Sequence, residues 1–215
     1  EEERARITEQ DIEKLWMDYL QSLPEERRLL LSRFRIADGA LRVGGVGSVG
    51  TRCTILLLEG GTEDDALILQ QKEAGTSVLE PYVPKRDYAS QAKRVVTGQR
   101  LMQATSDIFL GWHEGSLTGT QYYWRQLKDM KGSVDVATLD EAGLKTYLAV
   151  CSACLARAHA RTGDAAGIAG YVGKKNALDK AIADFAVAYA DQTERDHQAL
   201  VEAVASGRIA AETGI

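Results

Sequence analysis

The sequence predicts an α+β chain whose centre is a five-stranded antiparallel sheet carrying one helix, with helical segments on both sides. Three observations carry that prediction. Apolar residues recur at helical spacing up to about residue 38, short β-rich runs separated by Gly, Asp and Thr fill 40–128, and helical periodicity returns after Gly132. The expected organisation is therefore N-terminal helices over 1–38, a β lobe over 39–132 and a helical part over 133–215.

Thr8 is placed to cap a first helix, with Glu9 and Asp11 in its first turn and Ile12, Leu15, Trp16, Tyr19 and Leu20 on one stripe. Pro24 opens a second helix carrying Leu29, Leu30 and Phe34, which Gly39 is expected to close. Strands are expected at 40–44, 51–59, 66–74, 107–112 and 121–128, with a helix at 88–105 between the third and fourth. Turn chemistry is densest in "EGGTEDD" and "HEGSLTGT". Two more helices follow at 140–160 and 176–205, the second with Leu178, Ile182, Phe185, Tyr189, Leu200 and Val204 along an apolar stripe.

The 215 residues carry 26 basic and 31 acidic side chains, a net charge of −5. That balance supplies no basic footprint for nucleic acid or an anionic membrane, so any phosphate must be held locally. No apolar run reaches the ~18–20 residues of a membrane helix, and "EEERAR" lacks the layout of a signal peptide. A cytoplasmic location is the expectation, in keeping with three cysteines in no secreted pattern. The first residue is Glu1, which raises the expectation that the chain is part of a longer protein.

The stretch "RVGGVGSVGTRCTILLLEGG" holds glycines spaced as in two nucleotide-binding designs. A dinucleotide fingerprint needs a helix after the loop, because the helix N-terminus holds the pyrophosphate. Here "TRCTILLLE" reads as a strand, so the loop joins two strands. That is the protein-kinase-like arrangement, in which backbone N–H groups of a glycine loop cover nucleotide phosphates and a lysine on the third strand reaches them. Gly45, Val46, Gly47, Ser48 and Gly50 are the candidate loop residues, and Lys72 in "ALILQQKEA" the candidate lysine. Arg52 stands where that design has an apolar residue under the base, and could instead pair with a phosphate.

The 88–105 helix has no glutamate to hold the lysine, which leaves Glu80 as the carboxylate candidate, since Glu73 alternates to the other strand face. Backbone groups of Gln126, Leu127 and Lys128 would form the hinge along an adenine edge. His159 and Asp164 in "HARTGD" and Asp184 in "ADFAV" loosely echo a catalytic loop and a metal-binding turn. No Asn follows Asp164, however, and Asp184 falls in a periodic helix, so no catalytic residue and no metal ligand is assigned. Cys151 and Cys154 form a CxxC without further ligands at zinc spacing, and are expected to be small buried residues. His113 and His197 are expected at the surface, and no nucleophile elbow is present.

The strings "GVGSVGTRC", "QKEAGTSVLEPY", "GQRLMQATSDIFLGW", "RQLKDMKGS", "LARAHARTGDAAGIAGY" and "AIADFAVAYADQTERDH" resemble the bacterial family called domain of unknown function 2252, over roughly residues 12–208. The resemblance implies a fold similar to protein kinases and aminoglycoside phosphotransferases. It also implies a longer protein in permuted order, whose upstream half carries Gly-Asp-x-His-x-x-Asn-like and Asp-Phe-Asp-like stretches. On that basis the chain is expected to be the ATP-binding portion of a kinase-like phosphotransferase, taking ATP with Mg and relying on an upstream catalytic segment. The alternatives are a non-catalytic binding or scaffold module, and a complete kinase in ordinary order using Asp164 and Asp184.

Overall fold

The computed structural model describes residues 9–42, 50–62, 65–84, 88, 90–113, 119–127 and 132–211. The chain divides into two compact units, residues 1–162 and 163–215. The N-terminal helices belong to the same unit as the sheet.

In the first unit, helix α1 (Glu9–Gln21) and helix α2 (Glu25–Leu31) precede strand β1 (Arg35–Leu41). Pro24 sets the start of α2 with φ −54°, and Glu25 and Glu26 occupy its first turn, where carboxylates favour the helix dipole. The helix ends at Leu31, not at Gly39, and 35–41 form the first strand in place of 40–44. One contact at the end of α2 and one across the sheet mark the difference. Leu31 is fully buried at the end of α2, and residues 35–41 pair antiparallel with the second strand, with Arg35 opposite Glu59 and their side chains 2.6 Å apart.

Strands β2 (Cys53–Glu59) and β3 (Ala66–Glu73) are followed by α3 (Gln91–Met102), β4 (Gly111–His113) and β5 (Tyr122–Gln126). All pairings are antiparallel, in the order β1-β2-β3-β5-β4. The Ser90 hydroxyl caps α3 by accepting from Lys93 N at 3.0 Å. Residues 107–110, expected in the fourth strand, form a turn around Asp107, whose carboxylate accepts from Phe109 N and Gln126 N.

Because side chains alternate along each strand, the register divides the sheet cleanly. One face carries Leu56, Leu58, Leu67, Leu69 and Trp124, and packs against Trp16, Tyr19, Leu20, Leu23 and Leu31 to make the core. Tyr19 stacks on Trp124 with ring centroids 4.5 Å apart and donates its hydroxyl to Phe109 O at 2.7 Å. Gly111 makes this approach of α1 to β4 possible, since a Cβ there would stand 2.8 Å from the Tyr19 ring. The other face carries Cys53, Ile55, Leu57, Ile68, Gln70, Lys72, Tyr123 and Arg125. Helix α3 packs on β4 and β5, with Lys93 and Arg100 each 5.7 Å from the Trp112 ring centroid.

Helix α4 (Glu141–Thr162) ends this unit, and Ala158 is its one buried residue among those described. Cys151 and Cys154 are exposed, contrary to expectation, because α4 turns that flank to solvent. The second unit holds α5 (Ala165–Val172), which was not anticipated, and α6 (Ala177–Ala205). Gly173 links them at φ +63°, a left-handed value that glycine adopts without strain. On α6 the stripe of Ile182, Phe185, Tyr189 and Leu200 is more than half exposed.

Candidate functional site

Lys72 stands near the end of β3, opposite Cys53 on β2 and Tyr123 on β5. It is half-buried, and none of the ion pairs among the described residues includes it. Gly50 and Thr51 lead the chain into β2 beside it, and Gly50 takes φ +82°. The glycine-loop candidates Gly45, Val46, Gly47 and Ser48, and the hinge candidate Lys128, lie outside the described residues.

Around Lys72 the sheet face is polar. Gln70 is 4% exposed; its amide nitrogen donates to Cys53 Sγ at 3.2 Å, and its Oε1 accepts from Arg125 Nε at 3.2 Å and Nη2 at 3.1 Å. Tyr123 lies beside this group, its hydroxyl pushed up by burial, with Arg125 pulling it down and Cys53 adding to the rise. Arg125 makes no ion pair among the described residues. The carboxylates elsewhere on β1 and β2 are already engaged: Glu59 with Arg35 at 2.6 Å, and Asp38 with Gly39 N at 2.7 Å.

Helix α3, the segment after β3, carries Lys93, Arg94 and Arg100 and no carboxylate. Arg100 donates to Leu110 O, and burial holds its guanidinium below the usual arginine range. Arg94 donates to Gly75 O at 3.0 Å and to Gln91 Oε1 at 2.6 Å. Glu80 accepts from Gln91 Nε2 at 3.1 Å, so its described partner is the first residue of α3.

Three further candidates are placed away from the Lys72 face or are used within the fold. Arg52 donates its backbone N–H to Glu73 Oε2 at 3.1 Å, and its guanidinium bonds Tyr122, a contact that raises its pKa. Tyr122 and Glu73 pair directly and occupy the sheet face opposite Lys72. At the hinge, Gln126 N donates to Asp107 Oδ2 at 2.9 Å and Leu127 N to Ile68 O at 2.9 Å, so neither N–H is open to a base.

His159 is exposed in the last turn of α4. Asp164 caps α5 by accepting from Ala166 N at 3.1 Å and Gly167 N at 3.0 Å, and Asp184 is an exposed residue in the interior of α6. His197 is exposed on α6, but His113 is 1% exposed and accepts from Trp124 Nε1 at 2.9 Å. The expectation of a surface His113 fails because Gly111-Trp112-His113 is itself a strand that turns His113 into the α1 side. A cavity of about 590 Å³ opens on that same side, between Ile12 and Leu15 of α1 and Leu56, Gln71 and Trp124 of the sheet, away from Lys72. Among the described residues no group of three His, Cys, Asp or Glu could hold a metal ion, and no helix is long and apolar enough to cross a membrane.

Residues 3–203 match the model of a family described as uncharacterized protein conserved in bacteria, DUF2252. The chain belongs to this family. No curated protein and no solved structure gives a match. The character of the Lys72 face is therefore read from its own residues, and two of them, Gln70 and Arg125, were not among the sequence candidates. Alternation in "LQQKE" and "YYWRQ" puts each on the Lys72 face, but their contact spans 55 positions and needs the β3–β5 register.

Proposed function

We propose that the chain is the nucleotide-binding portion of a kinase-like phosphotransferase, with Lys72 on the phosphates of ATP and Mg. The observation that carries this is Lys72 itself: a half-buried ammonium on the third strand, with no ion-pair partner among the described residues, on the strand that pairs with β2 just after Gly50 and Thr51. Glycine loop, strand lysine and a helix after that strand are the parts that fold nucleotide phosphates under a kinase-type sheet. The engaged N–H groups of Gln126 and Leu127 shift the weight of recognition from the base to the phosphates. A catalytic segment elsewhere in a longer protein would supply the general base and the metal ligands.

A non-catalytic binding module is the second reading, supported by the placement of Asp164 as a helix cap and Asp184 within α6. Thermal unfolding with and without Mg-ATP separates the two. A ligand at a hundred times its Kd stabilises the native state by ~2.7 kcal/mol. The expected result is a rise in Tm that Lys72→Met removes. An unshifted wild-type chain supports the binding module, and an equal shift in Lys72→Met removes Lys72 from the site.

A further inference from the structure

We infer that Arg125 is a second anion anchor on the Lys72 face, so that the site takes a polyphosphate chain gripped by two cations and not a single phosphate. The inference rests on the nucleotide site proposed above and goes beyond it in naming both the residue and the part of the ligand that is recognised.

Register places Gln70 opposite Arg125 and Lys72 opposite Tyr123, so Arg125 and Lys72 are diagonal neighbours on one face. Such positions stand about 7–8 Å apart, within reach of two long side chains converging on one ligand. Arginine has five N–H donors in a fixed fork, and Gln70 Oε1 uses two of them. The other three have no partner among the described residues, and neither cation has a carboxylate.

Glu59 lies six residues along β3 from Lys72 in register, about 20 Å at strand rise, and is already bonded to Arg35. The half-buried guanidinium is held by a neutral amide and not by a carboxylate. The Gln70 clamp also fixes the plane of the fork, which lowers the entropy lost when it binds oxygen atoms bidentately.

Isothermal titration of the whole chain with inorganic tripolyphosphate and, in parallel, with Mg-ATP tests this. The expected result is that both bind, that Arg125→Gln weakens each about tenfold or more, as loss of a charged hydrogen-bonding partner does, and that Arg27→Gln on α2 changes neither. Arg125→Gln removes a partner of buried Gln70, so a second measurement keeps the test independent of that variant's folding. In the wild-type chain the Arg125 Nε–H resonance, assigned by its absence in Arg125→Lys, is expected to shift in step with tripolyphosphate binding.

Unchanged affinity in folded Arg125→Gln, or an unmoved resonance at saturation, overturns the anchor and leaves the nucleotide site standing. Binding of ATP without binding of tripolyphosphate does the same. Binding of neither overturns both.

Discussion

The Trp124 indole donates to Nδ1 of His113 at 2.9 Å, which fixes the imidazole as the neutral tautomer with its proton on Nε2. Burial lowers the His113 pKa from 6.5 to about 4, with Asp18 pulling weakly the other way. The unfolded chain therefore takes up a proton near pH 6.5 that the folded chain refuses until about pH 4. Stability is full above pH 6.5 and falls as pH drops through that window, by about 3 kcal/mol at most. Urea unfolding at stepped pH should show this loss, and His113→Gln should flatten it; an equally steep loss in the variant would assign it to other groups. Gly50 offers a second check at this scale. A Cβ there meets nothing within 4 Å, so Gly50→Ala should cost only the left-handed backbone penalty of about 1–2 kcal/mol. The histidine's burial was hidden in the sequence because the expected strand stops at Trp112 and "HEGSLTGT" reads as turn chemistry, while pairing with β5 extends the strand to His113.

At the scale of elements, the second, third and fifth strands and the long helices were legible because each rests on a local period. The helix after β3 and the five-stranded antiparallel sheet follow from turn spacing and alternation. Lys72 and Glu73 on opposite faces follow from alternation alone. The bounds of the first strand were not legible, since Leu30, Phe34 and Gly39 mimic a helical stripe with a closing glycine, while the pairing of 35–41 with β2 is a tertiary contact. The same limit hid Arg125, whose clamp on Gln70 bridges β5 and β3. Leu69, fully buried at the centre of β3, anchors the face that packs on α1, and Leu69→Ala should cost about 2–5 kcal/mol by urea unfolding. Asp164 was weighed as a catalytic residue and stands as the N-cap of α5. Asp164→Ala should loosen α5 by about 1 kcal/mol in amide exchange, with Asp164→Asn retaining most of the cap; equal exchange in all three chains would contradict a capping role.

Across the whole molecule, a chain of net charge −5 sets two uncompensated cations on one sheet face and follows β3 with a helix free of carboxylates. That contrast is a reason to place an anionic ligand there. The central claim is that Lys72 lies against ATP phosphates, and competitive acylation of lysines, read by mass spectrometry with and without Mg-ATP, tests it most directly. At about a hundred times the Kd nearly every molecule is occupied, so labelling of Lys72 should slow about tenfold or more while exposed Lys14 on α1 is unaffected. Equal labelling of Lys72 with and without saturating Mg-ATP would contradict it.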